Sequence, residues 1–272
     1  RIDAQTGIVT TVAVTGIQGY SGDGQLAVKA NFSLPFDVGV DSLGNVVIVD
    51  FGNQRIRSVD IKTGLVRTVA GNGSEDLNVE YDMDYDEYRF LDDGGPATEA
   101  SIVNPRGIAL NEAGNLFISH FGLFIRQVDT QTQIITTPLG CCAGSRFRSL
   151  SGIAVNSAGV IYVANANRGI LRLGPGETQP TVWFEEKPFF DVAVSPNGAV
   201  FGVVMTEHSV YQVEQRFGIR IAGGKFGYEG DNGPATEAAF SSPSAVAIDG
   251  ANNLYIVDSG NNAVRVIKNG AR

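Results

Sequence analysis

Residues 245–258 read Ala-Val-Ala-Ile-Asp-Gly-Ala-Asn-Asn-Leu-Tyr-Ile-Val-Asp, with two short apolar segments on either side of a turn rich in Asn and Gly. Gly and Asn tolerate the positive φ that tight hairpin turns require. The stretch therefore predicts two antiparallel strands joined by a short turn. A third apolar segment, residues 264–267, follows a few positions later and extends the predicted sheet.

The same pattern occurs five times along the chain. Its first strands end at Val40, Leu110, Val155, Val194 and Ile248, which lie 70, 45, 39 and 54 positions apart. This spacing is close to the period of about 40–50 residues of β-propeller blades, once an acidic insert in the first interval is discounted. A fourth apolar segment follows in the first four repeats, at residues 65–70, 134–139, 181–184 and 219–222.

Short strands in sets of four predict an all-β chain, folded as a single β-propeller domain of four-stranded antiparallel blades over residues 1–272. We count five blades and leave a sixth open. Residues 1–11 match the end of a third strand and the fourth strand at residues 58–68, whereas the last repeat stops after its third strand at Ile267. We therefore predict that the N-terminal strand completes the C-terminal blade and closes the ring, which removes exposed strand edges.

The negative charge is concentrated in an acidic insert, residues 75–93. The insert holds nine acids against one base, Arg89, so it carries −8 of the net −9 of the whole chain. Nucleic acids and anionic membranes are held by clusters of Lys and Arg, so neither is an expected partner. No apolar run approaches the roughly 20 residues of a membrane-spanning helix, so direct membrane insertion is not expected. Because like charges repel, the insert is predicted to be a solvated loop.

Three linkers between predicted blades share a Gly-rich, acidic pattern: residues 19–24 (GYSGDG), 92–100 (DDGGPATEA) and 227–238 (GYEGDNGPATEA). With these linkers, and with Asn261 and Arg265 after the last hairpin, the chain resembles the NHL-repeat β-propellers over essentially its whole length. The third and fourth repeats depart from the pattern, since they lack the Gly-Asp-Gly linker. The resemblance implies a propeller and leaves function open, because the family includes metal-dependent lyases, RNA-binding modules, sensor ectodomains and extracellular repeat proteins.

Asp23, Asp93 and Asp231 occupy equivalent positions in these linkers. Short acceptor side chains in such loops bind the backbone of their own turn, and we expect this of all three. The alternative is a ring of carboxylates that binds cations. Arginines also recur in register in the third strands, where we expect them to extend across neighbouring blades to carbonyls or carboxylates rather than to form a ring that binds an anion. They are Arg57, Arg126, Arg172 and Arg265.

Part of the acidic insert has the spacing of a calcium loop. Asp82, Asp84 and Asp86, with Asp93 eleven positions after Asp82, imitate the oxygen ligands of such a loop. Glu87 stands where the loop needs Gly. Calcium is therefore considered as an alternative to a solvated acidic loop, and no other cofactor is expected.

The histidines and cysteines are few. His120 and His208 do not make up the three protein ligands of a catalytic zinc site, and His120 is expected to replace the residue type of Asp50 at a strand end. Cys141 and Cys142 are adjacent and have no partner cluster with metal-ligand spacing. We favour a disulfide between them over two free thiols, and it would rigidify a rim loop.

Exposed aromatic residues are candidates for partner recognition, because aromatic side chains dominate the energies of interfaces. Those in the acidic insert are Tyr81, Tyr85 and Tyr88, for which sulfation is a further hypothesis. Others are expected at blade rims, although several must lie in the core. They are Phe121, Phe124, Trp183, Phe184, Phe189 and Phe190.

Asn31 and Asn72 lie in Asn-x-Ser sequons and are candidates for N-glycosylation. Together with the low Lys content and the adjacent cysteines, they favour an extracellular or secreted protein, or the ectodomain of a larger one. Because the chain opens in the middle of a repeat, we expect a processed or excised piece whose targeting segment is not shown.

The sequence best fits a non-catalytic extracellular propeller that binds a protein, a glycan or neighbouring copies in an assembly, with residues 75–93 as a main binding loop. It has neither a Gly-x-Ser-x-Gly nucleophile motif nor a Gly-rich phosphate loop beside a helix. The alternative is a metal-dependent lyase or hydrolase with its site at the mouth of the central channel, which depends on the family resemblance, the two histidines and the many aspartates. A non-catalytic role is favoured, and enzymatic activity is left open.

Overall fold

The computed structural model describes residues 1–3, 5–83, 87–120, 124–139 and 150–268. In this part the chain is all-β apart from one-turn 3-10 helices, and five of its six sheets are the blades of a five-bladed β-propeller, as the sequence predicts. The chain divides into two compact units, Arg1–Phe121 with Arg126–Thr137 and Gly122–Ile125 with Pro138–Arg272. That the units form one domain over residues 1–272 stays a prediction.

Blade 1 shows how the repeat folds. Asp41 follows the first strand, and its carboxylate accepts the backbone N–H groups of Leu43 and Asn45 at 2.9 and 2.8 Å. Gly44 completes the turn with a φ of 86°, a conformation that Gly adopts without strain. The strands of blade 1 are β1 (Pro35–Val40), β2 (Val46–Asp50), β3 (Arg55–Val59) and β4 (Val66–Ala70), in that order across an antiparallel sheet.

The remaining blades follow the same consecutive antiparallel order. Blade 2 contains β7 (Pro105–Leu110), β8 (Leu116–His120), β9 (Phe124–Val128) and β10 (Ile135–Leu139). Blade 3 contains β11 (Leu150–Val155), β12 (Ile161–Asn165), β13 (Gly169–Leu173) and β14 (Thr181–Phe184). Blade 4 contains β15 (Asp191–Val194), β16 (Val200–Val204), β17 (Ser209–Glu214) and β18 (Phe217–Gly223), and blade 5 contains β19 (Pro243–Ile248), β20 (Leu254–Asp258) and β21 (Ala263–Ile267). The 3-10 helices are Ala27–Lys29, Phe51–Asn53, Met205–Glu207, Ala235–Glu237 and Ser259–Asn261.

The acidic insert contains a folded hairpin, formed by β5 (Val79–Asp82) and β6 (Glu87–Phe90). Val79 lies opposite Phe90, and Tyr81 lies opposite Tyr88. The prediction of a solvated loop is therefore wrong for these eight residues. In both strands apolar and charged residues alternate, and a period of two places the apolar residues on one face of the hairpin.

Each unit has its own apolar core. In the first unit, Val49 and Ile56 of blade 1 belong to the same buried cluster as Ile118 of blade 2. In the second unit, Phe189 and Tyr211 pack in one cluster, with ring centroids 6.3 Å apart. Within each unit, neighbouring blades are therefore held together by the apolar faces of their strands.

Carboxylates in the first strands link neighbouring blades within each unit. The carboxylate of Asp37 in β1 accepts the N–H of Ile108 in β7 at 2.8 Å. The carboxylate of Asp191 in β15 accepts the N–H of Val246 in β19 at the same distance. Burial raises the pKa of Asp37 to about 6, although hydrogen bonds from the N–H groups of Ile108 and Val38 act in the opposite direction.

Blade 5 has three strands in the described part of the chain, and the other four blades have the predicted four. In the N-terminal segment, Ile2 pairs with Val9 in an isolated antiparallel bridge. Completion of blade 5 by the N-terminal strand stays a prediction. Among the described residues, no helix has the length and apolar character that crossing a bilayer requires.

Candidate functional site

Blade 1 is held to its linker by a fully buried arginine. Arg57 in β3 donates to the carboxylate of Asp23 at 2.6 Å and to that of Asp50 at 3.3 Å. The rings of Tyr20 and Phe32 lie 4.9 and 4.8 Å from the Arg57 guanidinium carbon, so aromatic faces share in solvating the charge. We call an arginine paired in this way with a linker carboxylate the blade latch.

Blades 2 and 5 contain the same latch. Arg126 donates to the carboxylates of Asp92 and Asp93 at 2.6 and 3.0 Å. Arg265 donates to the carboxylate of Asp231 at 2.6 Å and to the carbonyl of Ala239 at 2.8 Å. The prediction that these arginines bind carboxylates and carbonyls is confirmed, but the partners lie in the linker that precedes each arginine's own blade, so the predicted reach across neighbouring blades is wrong.

The linker aspartates therefore do not act mainly as caps of their own turns, and that prediction is wrong. Asp23 accepts hydrogen bonds from the Thr68 hydroxyl at 2.7 Å and from the Tyr20 hydroxyl at 3.1 Å, in addition to its ion pair with Arg57. Burial acts to raise the pKa of Asp23, but these hydrogen bonds and the Arg57 charge outweigh it and lower the pKa. A carboxylate engaged in this way has little capacity left for a cation, which argues against the cation-ring alternative.

Blades 3 and 4 lack the latch. In blade 3, Leu171 lies at the position of Arg57, since each pairs with the residue two positions before the end of the second strand, so the predicted register is wrong for Arg172. Arg172 pairs with Glu177 at 3.1 Å near the surface. In blade 4, Tyr211 lies at the position of Arg57 in the repeat and donates to Glu207 at 2.6 Å, and Glu207 also pairs with Lys187 at 2.9 Å. These changes accompany the loss of the Gly-Asp-Gly linker from the same two repeats.

The two histidines have structural surroundings. His120 ends β8 as Asp50 ends β2, which confirms the predicted replacement. It is completely buried beside Phe90, with ring centroids 5.6 Å apart, and burial, together with the charge of Arg126, lowers its pKa to about 3. His208 accepts the Ser242 N–H at 3.1 Å through Nδ1. In the described part of the chain, no group of three or more His, Cys, Asp or Glu has the geometry of a metal site.

The calcium prediction falls largely outside the described structure. Asp84 and Asp86 are not described, nor is the side chain of Asp82. Asp93 is described, and its carboxylate pairs with Arg126 and accepts the backbone N–H of Thr137 at 3.0 Å. Asp93 is therefore committed to the blade latch, and calcium binding by the other three residues stays a prediction.

The hairpin of β5 and β6 is the candidate functional site. Its apolar face carries Tyr81 and Tyr88, whose ring centroids lie 5.2 Å apart. Tyr81 is 41% exposed, and Met83 at the turn is 85% exposed. Glu80 and Arg89 lie opposite each other at the alternate positions, which places charge on the other face.

The base of the hairpin is anchored in blade 2. Phe90 is buried, and its ring lies 4.2 Å from the guanidinium carbon of Arg126. The next residue, Leu91, donates its N–H to the carbonyl of Asn78 at 2.9 Å, which closes the base of the hairpin. Ser101 donates its hydroxyl to the carbonyl of Asp76 and its N–H to the carboxylate of Asp92. The hairpin is therefore fixed to the latch of blade 2.

The structure separates the remaining aromatic candidates. Phe124, predicted as an interaction residue, is buried in β9, so that prediction is wrong. Phe184 and Phe189 are also buried and pack with ring centroids 5.8 Å apart. Trp183 and Phe190 are half-buried. Tyr85 and Phe121 lie outside the described residues, as do Cys141 and Cys142.

The two predicted glycosylation sites are in surface linkers. Asn31 is half-buried, and its side-chain oxygen accepts the Thr15 hydroxyl at 2.6 Å. Asn72 is exposed, and its amide donates to the carbonyl of Glu99 at 2.9 Å. Modification of either residue stays a prediction.

Sequence reasoning missed the hairpin itself. The signal was the alternation of Val79 with Tyr81 on one strand and of Tyr88 with Phe90 on the other, at period two. The dense negative charge of the insert masked this pattern, because runs of like charge predict a solvated loop.

No family model matches the chain. It is 26% identical over 286 residues to teneurin-4 of Mus musculus, a match that covers 83% of this chain. The chain spans about a tenth of the length of the teneurins that it matches.

Solved structures confirm the propeller fold. One is a nidogen/laminin complex, with a TM-score of 0.61 and 15% identity over 86% of this chain and 76% of the other. Another is a gluconolactonase from Xanthomonas campestris, with a TM-score of 0.61 and 12% identity over 87% of this chain and 73% of the other. At such identities the likeness establishes the fold alone.

Proposed function

We propose that this chain is an NHL-type, extracellular, protein-binding propeller, and that the hairpin of β5 and β6 is its recognition element. The observation that carries this proposal is that a strongly acidic insert folds into an anchored hairpin that exposes Tyr81 and Met83. A loop that only carries solvated charge needs neither paired strands, nor two tyrosine rings in contact, nor a buried Phe90 at its base.

The geometry of the hairpin suits a protein surface. Tyr81 and Met83 give a large, adaptable contact area, and aromatic and Met side chains are enriched where proteins meet. Because Phe90 anchors the hairpin before a partner binds, the hairpin loses less conformational entropy on binding. The face therefore has the properties of a preorganised contact patch.

The charge of the insert defines the partner. Residues 75–93 carry a net −8, whereas the rest of the chain carries −1. Such a field attracts a basic surface and speeds association with it at low ionic strength. The proposed partner is a protein with a basic surface around an apolar pocket.

The comparisons support a protein partner. One solved structure with the same fold is a complex between nidogen and laminin, so a propeller of this class occurs in a protein–protein complex. The extracellular location is supported by the two sequons and the adjacent cysteines of the sequence. A glycan partner has no feature of its own among the described residues.

The metal-dependent alternative has less support. A gluconolactonase shares the fold, but the described residues of this chain place His120 in the core and engage His208 with the Ser242 backbone. No observation at these residues favours a reaction. Metal analysis of the purified protein tests this alternative directly.

Trimming of the hairpin tests the proposal. Residues 79–89 are replaced by a short Gly-Ser linker, and labelled protein is added to cells of the organism that encodes it. We expect the trimmed protein to lose cell staining and a control with Leu43→Asp to keep it, since Leu43 is an exposed turn residue of blade 1. Protease treatment of the cells should abolish wild-type staining. Equal staining by a folded trimmed protein would contradict the proposal.

A further inference from the structure

A surface pocket of blade 1 lies beside one of the two sequons. The pocket has a volume of about 510 Å³, which is within the usual range of small-ligand sites. Its wall includes Asn72 itself, together with Tyr20, Arg55, Thr98 and Glu99. All of these residues belong to the first compact unit. A group attached to the Asn72 side chain therefore starts at the wall of the pocket.

Asn72 is exposed, yet each of its polar groups is held in place. Its backbone N–H donates to the carbonyl of Ala100 and its side-chain amide to the carbonyl of Glu99, both at 2.9 Å. Its side-chain oxygen accepts the N–H of Ser74 at 2.8 Å, and its carbonyl accepts Arg55 at 2.6 Å. A side-chain amide has two N–H groups, so one is left for attachment of a further group. The direction of that group is fixed by the hydrogen bonds of Asn72.

The pocket presents donors and acceptors together. The guanidinium carbon of Arg55 lies 4.0 Å from the centroid of the Tyr20 ring, and the side chains of Thr98 and Glu99 are exposed. Arginine only donates, a carboxylate only accepts, and a hydroxyl does both. The ring of Tyr20 is 45% exposed and offers apolar surface for the C–H groups of a ligand. These surroundings suit a neutral ring with several hydroxyls, because a small ion would meet a like charge.

The second sequon has different surroundings. Asn31 is half-buried, and its side-chain oxygen accepts the Thr15 hydroxyl at 2.6 Å. The other two residues of this sequon, Phe32 and Ser33, are each 4% exposed. An enzyme that modifies Asn in a sequon has to reach the whole Asn-x-Ser segment. Folding of blade 1 therefore closes the sequon of Asn31, whereas Asn72 stays exposed and Ser74 half-buried.

We propose that Asn72 carries an N-linked glycan and that its first sugar, an N-acetylhexosamine, occupies this pocket. The donor is an oligosaccharide linked to a polyprenyl diphosphate. The Asn72 amide nitrogen forms a bond to C1 of the sugar and loses a proton, and the C1–O bond to the diphosphate breaks as the lipid diphosphate leaves. The inference rests on the extracellular location in the proposed function, because N-linked glycans are added to secreted proteins.

A sugar held in this way should stabilise the fold. The covalent link keeps the sugar at a high effective concentration beside the pocket, so little translational freedom is lost when it packs. Contact with Tyr20 and hydrogen bonds to Thr98 and Glu99 exist only while the linkers of blade 1 and blade 2 are folded. The first sugar alone should therefore supply the gain, and the rest of the glycan should add little.

Intact mass tests the attachment site. The chain is secreted with an appended signal peptide from eukaryotic cells that make oligomannose glycans. We expect one N-glycan on the wild type and on Asn31→Gln, and none on Asn72→Gln. A wild type without a glycan, or a glycan that persists in Asn72→Gln and disappears in Asn31→Gln, overturns the proposal.

Thermal unfolding tests the pocket. The glycan is cut back to one sugar with an endoglycosidase, and this protein is compared with the wild type secreted under tunicamycin, which has the same sequence and no glycan. We expect the single sugar to raise the unfolding midpoint by at least about 2 °C. The gain should be lost in Glu99→Arg, which places a large cation in the pocket wall. It should persist in Glu112→Arg, an exposed position in a turn of blade 2.

A wild type whose midpoint does not change with the sugar overturns the assignment of the pocket, and so does an equal gain in Glu99→Arg and Glu112→Arg. The appended signal peptide supplies the secretory pathway in every case. Failure of this inference is therefore distinct from failure of the proposed function, which depends on the trimmed hairpin and cell staining.

Discussion

The guanidinium of Arg57 lies 2.6 Å from the carboxylate of Asp23, a residue 34 positions earlier in the chain. Arg265 binds Asp231 over the same separation of 34 positions, and Arg126 binds Asp92 and Asp93, which lie 34 and 33 positions before it. In these three blades the linker and the third strand therefore form one unit of structure. The pairing of the linker carboxylate with the third-strand arginine is the feature of the repeat that the sequence alone does not predict.

Removal of the latch arginine should unfold blade 1 at much lower denaturant. Arg57→Ala leaves Asp50, which is completely buried, without its charge partner. Loss of one member of a buried ion pair costs about 3–5 kcal/mol. Urea unfolding followed by tyrosine fluorescence measures the change in the free energy of unfolding.

Arg172→Ala is the control, because Arg172 is a third-strand arginine that takes no part in a blade latch. Arg172 and Glu177 form an ion pair that is partly exposed, and such pairs contribute about 1 kcal/mol or less. A loss after Arg57→Ala no larger than the loss after Arg172→Ala would show that the latch is not a structural determinant.

His120 should make the protein sensitive to mild acid. Its pKa is lowered to about 3 in the fold, mainly by burial, so the unfolded chain binds a proton near pH 6.5 that the fold rejects. Stability from this group is present above pH 6.5 and is lost as the pH falls. Between pH 7 and pH 5 the wild type should lose about 2 kcal/mol relative to His120→Asn. Asn is the residue at this position in blade 3.

The contribution of Asp37 to stability should change with pH in the opposite direction to that of His120. Burial raises its pKa to about 6, so the fold holds a proton that the unfolded chain releases near pH 4, and stability falls as the pH rises from 4 to 6. Relative to Asp37→Asn, the wild type should lose at most about 2 kcal/mol over this range, because the side chain keeps partial contact with water. Unfolding midpoints at pH 4 and pH 7 measure the difference.

Asp60→Asn provides the contrast to Asp37→Asn. Hydrogen bonds from Thr63, above all from its backbone N–H, lower the pKa of Asp60, which is exposed. The contribution of the Asp60 carboxylate to the free energy of unfolding should therefore disappear as the pH falls below about 4. A common pH trend for the two variants would contradict the assignment for Asp37.

Phe90, at the base of the hairpin of β5 and β6, should determine how stably the hairpin is folded. Phe90→Ala removes the ring that packs on Arg126 and leaves Tyr81 and Met83 in place. We expect faster amide hydrogen exchange at residues 79–82 and weaker partner binding, since the contact patch is no longer preorganised. Exchange rates equal to those of the wild type would show that the hairpin is not anchored through Phe90.

Much of the fold follows from the sequence, because strands and turns depend on local signals. The period-two alternation of residues 254–257 and the Asn-rich turn before them predict β19 and β20 without tertiary information. The replacement of Asp50 by His120 at a strand end was also readable from the repeat alignment. Strand bounds differ from the predicted ones by one or two residues, as at β18, which begins at Phe217 rather than Ile219.

The site was less predictable, because it depends on contacts between distant segments. The sequence shows Asp23 in a Gly-rich turn, where capping of that turn is the local expectation, but Arg57 of the third strand competes for its carboxylate and binds it. The burial of Phe124 likewise depends on the packing of its blade rather than on its neighbours in sequence. Local propensity cannot decide between such alternatives.

The hairpin as a binding element is tested most directly by photo-crosslinking on intact cells. A photoreactive phenylalanine analogue is placed at Met83, at the exposed turn of the hairpin, and in a second protein at Leu43. Our account predicts a discrete protein adduct from position 83 that is absent from position 43 and is suppressed by excess unlabelled wild type but not by the trimmed protein. No adduct from position 83, or the same adducts from both positions, would contradict it.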